Sequence, residues 1–235
     1  MLKAKNLNLS RINVNILDNI SIEIGQGEIL TIVGPSGSGK STIMSVLAGL
    51  IRADSGDVLF NGKSIYSEDI YQHRKRVRYI PSKPDFFTCT VEEHLYKICE
   101  YLGIENNKGK ECFLSYFDTL SLNENILKKH TGDISTGERK RIFLIQNLLI
   151  PAQVYLLDEV FTGLDPEITT NGFELLKEIS QAIILTSHNI DFMKKLNSKS
   201  IFVKNGKIIT KEHDFFKSTK NNEVIRYLNG GNNVR

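Results

Sequence analysis

The sequence predicts an α/β protein with a parallel sheet, an antiparallel β portion ahead of most of it, and a helical stretch inserted between its strands. Three observations carry this. The apolar run Ile29 to Val33 enters a glycine-rich loop, Gly34 to Ser41, that opens into a helix-capable segment reaching Leu47. Val154-Tyr155-Leu156-Leu157 and Ala182-Ile183-Ile184-Leu185 are continuously apolar, as parallel strands covered on both faces require. Between these blocks, from about 91 to 150, apolar residues recur at helical spacing.

Taken in order, β-like runs lie at Leu2 to Leu9, Ile20 to Ile24, Glu28 to Val33 and Val58 to Phe60. Gly25-Gln26-Gly27, Asp54-Ser55-Gly56 and Asn61-Gly62 punctuate them as turns. Val91, Leu95, Ile98, Tyr101 and Leu102 mark one helix of the insert, and Phe113, Leu114, Phe117 and Leu120 a second. After Pro151 strands and helices alternate again, with helices expected over roughly 167 to 180 and 189 to 196. Ile201 to Val203, Asn205-Gly206 and Lys207 to Ile209 read as a closing hairpin. The expected organisation is a single domain over 1–235, with a helical subdomain at about 83–150 and a polar, helix-capable tail from about 211 to which no role is assigned.

Composition narrows the function. With 235 residues, 40% hydrophobic and 24% charged, the chain can bury a core. A formal net charge of +3 is too small to imply nucleic acid, and no nucleic-acid partner is expected. The basic run Arg74-Lys75-Arg76 reads as a solvated face. Cys89, Cys99 and Cys112 contain no CxxC pair and suit a reducing compartment, and the five histidines lack metal-ligand spacing. No apolar run approaches the ~20 residues of a membrane helix, so any work at a membrane requires a partner that spans it.

Gly34-Pro35-Ser36-Gly37-Ser38-Gly39-Lys40-Ser41 fits G-x-x-x-x-G-K-[ST] with a strand before it and a helix after it. Glycines at 34, 37 and 39 let backbone N–H groups turn toward a polyphosphate, and the helix N-terminus, through Thr42, adds its dipole. Lys40 should reach the β- and γ-phosphates and Ser41 should ligate Mg²⁺. The strand ending in Leu157-Asp158-Glu159 delivers two carboxylates to a C-terminal strand end, where α/β ligand sites lie. Asp158 is expected on Mg²⁺ and Glu159 as general base for an attacking water. His188 follows the next strand at the same sheet edge. Ile134-Ser135-Thr136-Gly137-Glu138 precedes a helix and forms a second anion-binding design. One triphosphate needs only one such design, so the second is expected to serve the nucleotide of another copy.

The phosphate loop, Ser135-Thr136-Gly137-Glu138, Leu157-Asp158-Glu159, Gly163-Leu164-Asp165-Pro166 and His188 occur in an order that resembles the ABC-type ATPases, over roughly residues 1 to 210. The resemblance implies a P-loop NTPase core with an antiparallel β subdomain and an inserted helical subdomain. It implies ATP and Mg²⁺ as cofactors and a head-to-tail dimer, homodimeric or with a paired subunit, enclosing two ATPs. Ser135 and Gly137 would contact the γ-phosphate held by the other subunit, Asp165 would link the two sites, and His188 would be the switch histidine. Three positions depart from the family. Thr136 replaces a glycine of the usual signature. Ser82 follows Tyr79-Ile80-Pro81 where the family has Gln or Glu; assigned to the metal position, it is too short for the usual role, so altered turnover is expected. Arg11 stands where an aromatic ring usually stacks on adenine, and its guanidinium plane could stack instead.

The resemblance further implies the ATP-hydrolysing subunit of an exporter-type transporter, cytoplasmic and peripheral on the inner face of the membrane through an integral membrane subunit. Phe86 and Phe87 are candidate anchors for that subunit, with equal weight on both filling the local core. The alternatives are a soluble ABC ATPase acting on another assembly and a weakly active nucleotide-binding regulatory module.

Overall fold

The computed structural model describes residues 1–187, 189–196, 198–212 and 222–228. Two compact units form: one from Met1–Ile80, Ala152–Glu159 and Ser180 onward, the other from Pro81–Pro151 and Val160–Ile179.

The first unit holds both sheets. β1 (Leu2–Arg11), β2 (Val14–Ile24), β4 (Ser55–Phe60) and β5 (Lys63–Ser64) pair antiparallel in the order β2-β1-β4-β5. β1 buries Leu2, Ala4, Leu7 and Leu9. Their spacing slips by one between Ala4 and Leu7, where the register with β2 shifts, because an extra residue changes which face a strand presents. Ser55 and Gly56, expected in a turn, belong to β4: Ser55 pairs with Asn8 across a further register shift. Asn61-Gly62 does form the expected turn.

The six-stranded sheet runs β10-β9-β3-β8-β7-β6, with β3 (Ile29–Val33), β6 (Val77–Ile80), β7 (Val154–Asp158), β8 (Ala182–Thr186), β9 (Lys199–Lys204) and β10 (Lys207–Glu212). All neighbours are parallel except the β9–β10 hairpin. Every residue of β7 and β8 is buried, as their unbroken apolar runs require. Ile32 pairs with Thr186, and Thr186 with Asp158, so β3, β8 and β7 end at the same level of one sheet edge.

α1 (Lys40–Leu47) buries Ile43, Met44, Val46 and Leu47 and packs against β2 and β7, in one core with residues of both sheets. Its C-terminal carbonyls would be orphaned in that core without donors. α2 (Ile70–Arg76) supplies them: His73 Nε2 meets Leu47 O at 2.8 Å and Arg74 Nη2 donates to Gly49 O at 2.7 Å. The basic run is therefore not simply a solvated face. Arg76 pairs with Glu68 and covers the Phe60 ring, while Lys75 alone is exposed.

The second unit contains α3 (Val91–Tyr101), α4 (Asn106–Leu114), α5 (Thr136–Leu148) and α6 (Pro166–Ile179), with α3 packed on α4 and α5, and α5 on α6. Thr90 and Glu93 form a capping box on α3, and Ser135 and Glu138 do the same on α5. Phe117 and Leu120, expected in the second helix, follow α4 in a turn and are buried from there.

His73 is fully buried, and among the described residues its Nδ1 has no hydrogen-bond partner. Burial holds its pKa below the ordinary 6.5, opposed by the bond to Leu47. The folded pKa lies below the unfolded one, so stability from the neutral ring is complete above pH about 6.5 and lost as pH falls through the folded value. The Tm should therefore drop as pH is lowered from 7 toward 5. His73→Gln should flatten part of that drop; an unchanged slope would show that His73 does not contribute to it.

Candidate functional site

The phosphate loop forms at the edge where β3 ends. Gly34, Gly37 and Gly39 have φ of 153°, 75° and 103°, backbone that side-chain-bearing residues rarely adopt. Gly34 is also pinned by space, since a Cβ there would lie 2.0 Å from Val203 O. The loop begins flush against β9 for this reason. Gly39 is the N-cap of α1 and leaves the helix start without a side-chain cap. The amides of Lys40, Ser41 and Thr42 thus have no partner within the helix and face the cradle side. Pro35, Ser36 and Gly37 form the rim, with Ser36 and Gly37 exposed. Ser38 is buried, and its hydroxyl has no hydrogen-bond partner among the described residues.

Lys40 is only 6% exposed. Its ammonium donates to Gly34 O and Pro35 O, each at 2.8 Å. Burial lowers its pKa, and the negative charges of Glu159 and Asp158 oppose that shift. The three residues therefore share one electrostatic environment, although β7 and the loop are more than 110 positions apart in sequence.

Asp158 closes β7 as a buried carboxylate with both oxygens engaged. Thr186 donates to Oδ1 at 2.8 Å and Tyr79 to Oδ2 at 2.9 Å. Burial pushes the Tyr79 phenol well above its ordinary pKa, and Asp158 adds to the shift, so the phenol stays a donor. Glu159 comes next, at φ 54°, with its N–H on Thr186 Oγ1 at 3.1 Å. That left-handed residue turns the chain off the strand end. Ser41 is exposed at the first turn of α1. Ser41 and Asp158 offer hard oxygen ligands, the donor type Mg²⁺ takes, and Mg²⁺ needs no all-protein cage.

Arg11 sits at the β1–β2 hairpin tip beside Ile12, which is 97% exposed. Its guanidinium donates to Ser10 O and pairs with Asp54 at 3.5 Å, an exposed pair of little strength. Ser82, Ser135 and Gly137 lie in the second unit. Ser82 is half-buried, Ser135 Oγ accepts from Glu138 N at 3.2 Å, and a Cβ at Gly137 would meet nothing within 4 Å. His188 lies outside the described residues. The two aromatic candidates part company: Phe86 packs on His94, Phe143 and Arg139, whereas Phe87 is 51% exposed under Lys97.

One contributor was hidden from the sequence reading. Tyr227, on α7 (Asn222–Leu228), is buried and donates to Gly34 O at 3.1 Å. The signal available was the apolar spacing Val224, Tyr227, Leu228 at i, i+3, i+4.

The chain matches the family described as "ABC transporter" over residues 17–162, well over half its length. It belongs to the ABC transporter family. Among curated relatives of this ABC protein is the "Probable iron export ATP-binding protein FetA" of Escherichia coli, 32% identical over 81% of this chain and 86% of the relative. Another is the "Osmoprotectant import ATP-binding protein OsmV" of Salmonella typhimurium, 27% identical over 89% of this chain but 58% of the relative. In fold, it superposes with TM-score 0.78 on a dimeric ATP-binding cassette solved in a post-hydrolysis state with ADP and Pi, at 22% identity, covering 90% of this chain and 98% of the other. The ABC protein is an ATP-binding subunit and an ATPase, with the α/β cassette fold.

Tyr79→Phe should lower stability by about 1–3 kcal/mol, because it removes a hydrogen bond from a buried carboxylate. Denaturant unfolding measures this; a loss under about 0.5 kcal/mol would mean Asp158 does not depend on the phenol.

Proposed function

We propose that this ATPase powers a separate membrane subunit through ATP-driven pairing of two nucleotide-binding chains. The observation that carries the reading is the buried Lys40 ammonium. It sits in a glycine cradle beside an uncapped helix start, in the field of Asp158 and Glu159. Gly34 to Thr42 would hold the phosphates, with Lys40 leaving its carbonyls for the β- and γ-phosphates. Ser41 and Asp158 would hold Mg²⁺, which when bound neutralises phosphate charge; Ser82 is the further candidate at that position. Glu159 would polarise the attacking water, His188 would meet the γ-phosphate, and Arg11 would stack on the base.

Two observations support pairing. Gly137 has a non-helical-breaking, ordinary backbone and open space around its Cα, so its own chain does not require glycine there. A partner's nucleotide approaching that surface would. The relative solved as a dimer adds to this reading. Among the described residues no helix is long and apolar enough to cross a membrane, which suits a chain that docks on a membrane subunit. Exposed Phe87 is a candidate anchor for it. The exporter direction is supported by the iron-export relative, which is the more identical of the two and is matched over most of both chains.

Glu159→Gln should trap an Mg-ATP-bound dimer, seen as a doubled mass by light scattering. Gly137→Leu in that background should abolish the dimer with little change in Tm. A Glu159→Gln variant that stays monomeric in saturating Mg-ATP would exclude the composite site. Tagged chain recovered from native membranes should bring down a polytopic membrane protein; recovery without one would exclude the transport role.

A further inference from the structure

The Gly34 carbonyl receives two donors from different directions: the Lys40 ammonium at 2.8 Å and the Tyr227 hydroxyl at 3.1 Å. Both bonds are buried. α7 is anchored for this contact, because Val224 and Tyr227 pack in a cluster with Val33, Met193 and Phe202. The Tyr227 ring meets Phe202 edge-on at 5.3 Å, and Val33 immediately precedes Gly34.

We propose that Tyr227 is a positioning residue for nucleotide binding, holding the Gly34 carbonyl satisfied when Lys40 leaves it for a phosphate. This rests on the reading of Lys40 as a phosphate ligand. A buried carbonyl stripped of its only donor carries a desolvation cost, and nucleotide binding would bear that cost in full if Lys40 were the sole partner. With Tyr227 in place, Gly34 O keeps a partner in both states. Pro35 O, half-buried at the rim, keeps the Ser38 N–H at 3.2 Å. Burial and the nearby Glu159 charge raise the Tyr227 pKa, so the phenol remains a donor at neutral pH.

The test is a double-mutant cycle on the affinity of the full chain for a non-hydrolysable ATP analogue with Mg²⁺. Tyr227→Phe keeps the ring and its packing and removes only the donor. It should raise Kd about tenfold, equivalent to about 1.4 kcal/mol. In a Lys40→Ala background no ammonium leaves Gly34 O on binding, so the same change should shift Kd less than about twofold. A Tyr227→Phe effect within twofold in the parent chain overturns the proposal, as does an equal effect in both backgrounds. If Tyr227→Phe also lowers Tm, Val224→Ala separates the causes: it loosens the same helix with the hydroxyl intact. It should lower Tm at least as far while moving Kd less, and an equal rise in Kd would overturn the assignment. Lys40→Ala with unchanged Kd would instead remove the phosphate role of Lys40 itself.

Discussion

An ammonium group removed from water costs several kcal/mol unless it is well partnered, and Lys40 is removed from water. Its partners come from both sides of the first unit. Gly34 and Pro35 contribute carbonyls because the loop turns back through backbone angles that glycine tolerates. Asp158 and Glu159 contribute opposing charge because β7 ends level with β8, and β8 with β3. A one-residue slip in either parallel pairing would reverse the strand faces and carry the carboxylates away from the cation. The parallel register is thus the constraint from which the site follows.

The segment from Ile70 to Ile80 ties two parts of that site together. On α2, His73 and Arg74 satisfy carbonyls at the C-terminal end of α1, the helix whose N-terminal end begins with Lys40. Four residues past Arg76, the last residue of β6 pairs with Leu157, and Tyr79 reaches Asp158. One short run therefore fixes the far end of the phosphate-loop helix and the near end of the carboxylate strand. Burial favours the neutral form of His73, while its bond to Leu47 O opposes that shift, so a titrating group remote from the site sits under its phosphate-loop helix.

Much of this was legible in the sequence because it rests on local signals. The glycine loop, the apolar strands and the acidic pair at Asp158-Glu159 each declare themselves within ten residues. What stayed hidden depends on distant partners. Arg74 and Arg76 look like solvent charges until Gly49, Glu68 and Phe60 are placed beside them. Ser55-Gly56 looks like a turn until β1 supplies its bulged partner strand. Phe86 and Phe87 are indistinguishable as letters, and only packing half-buries one and leaves the other exposed. Tyr227 stands in a polar tail, and nothing local to it mentions Gly34.

The two helix starts that the sequence presents as equivalent anion sites differ in a way that separates their roles. α1 begins without a side-chain cap, so its first amides await a ligand. α5 caps itself: Ser135 Oγ takes the Glu138 N–H, and Glu138 returns a carboxylate oxygen to the Ser135 N–H at 2.7 Å. That bond, with the Ser135 hydroxyl, holds the Glu138 carboxyl below its usual range, so the box is closed at neutral pH. A self-capped helix gains less from an anion than an open one, because one of its orphan donors is already satisfied. What α5 still offers is the pair of amides at Thr136 and Gly137, next to a glycine with open space beside it. Under the proposed mechanism α1 would therefore hold the nucleotide in the single chain, and α5 would add its weaker contribution only once a second chain has brought the phosphates to it. Under that mechanism the caps would set the order of assembly, nucleotide first and partner second.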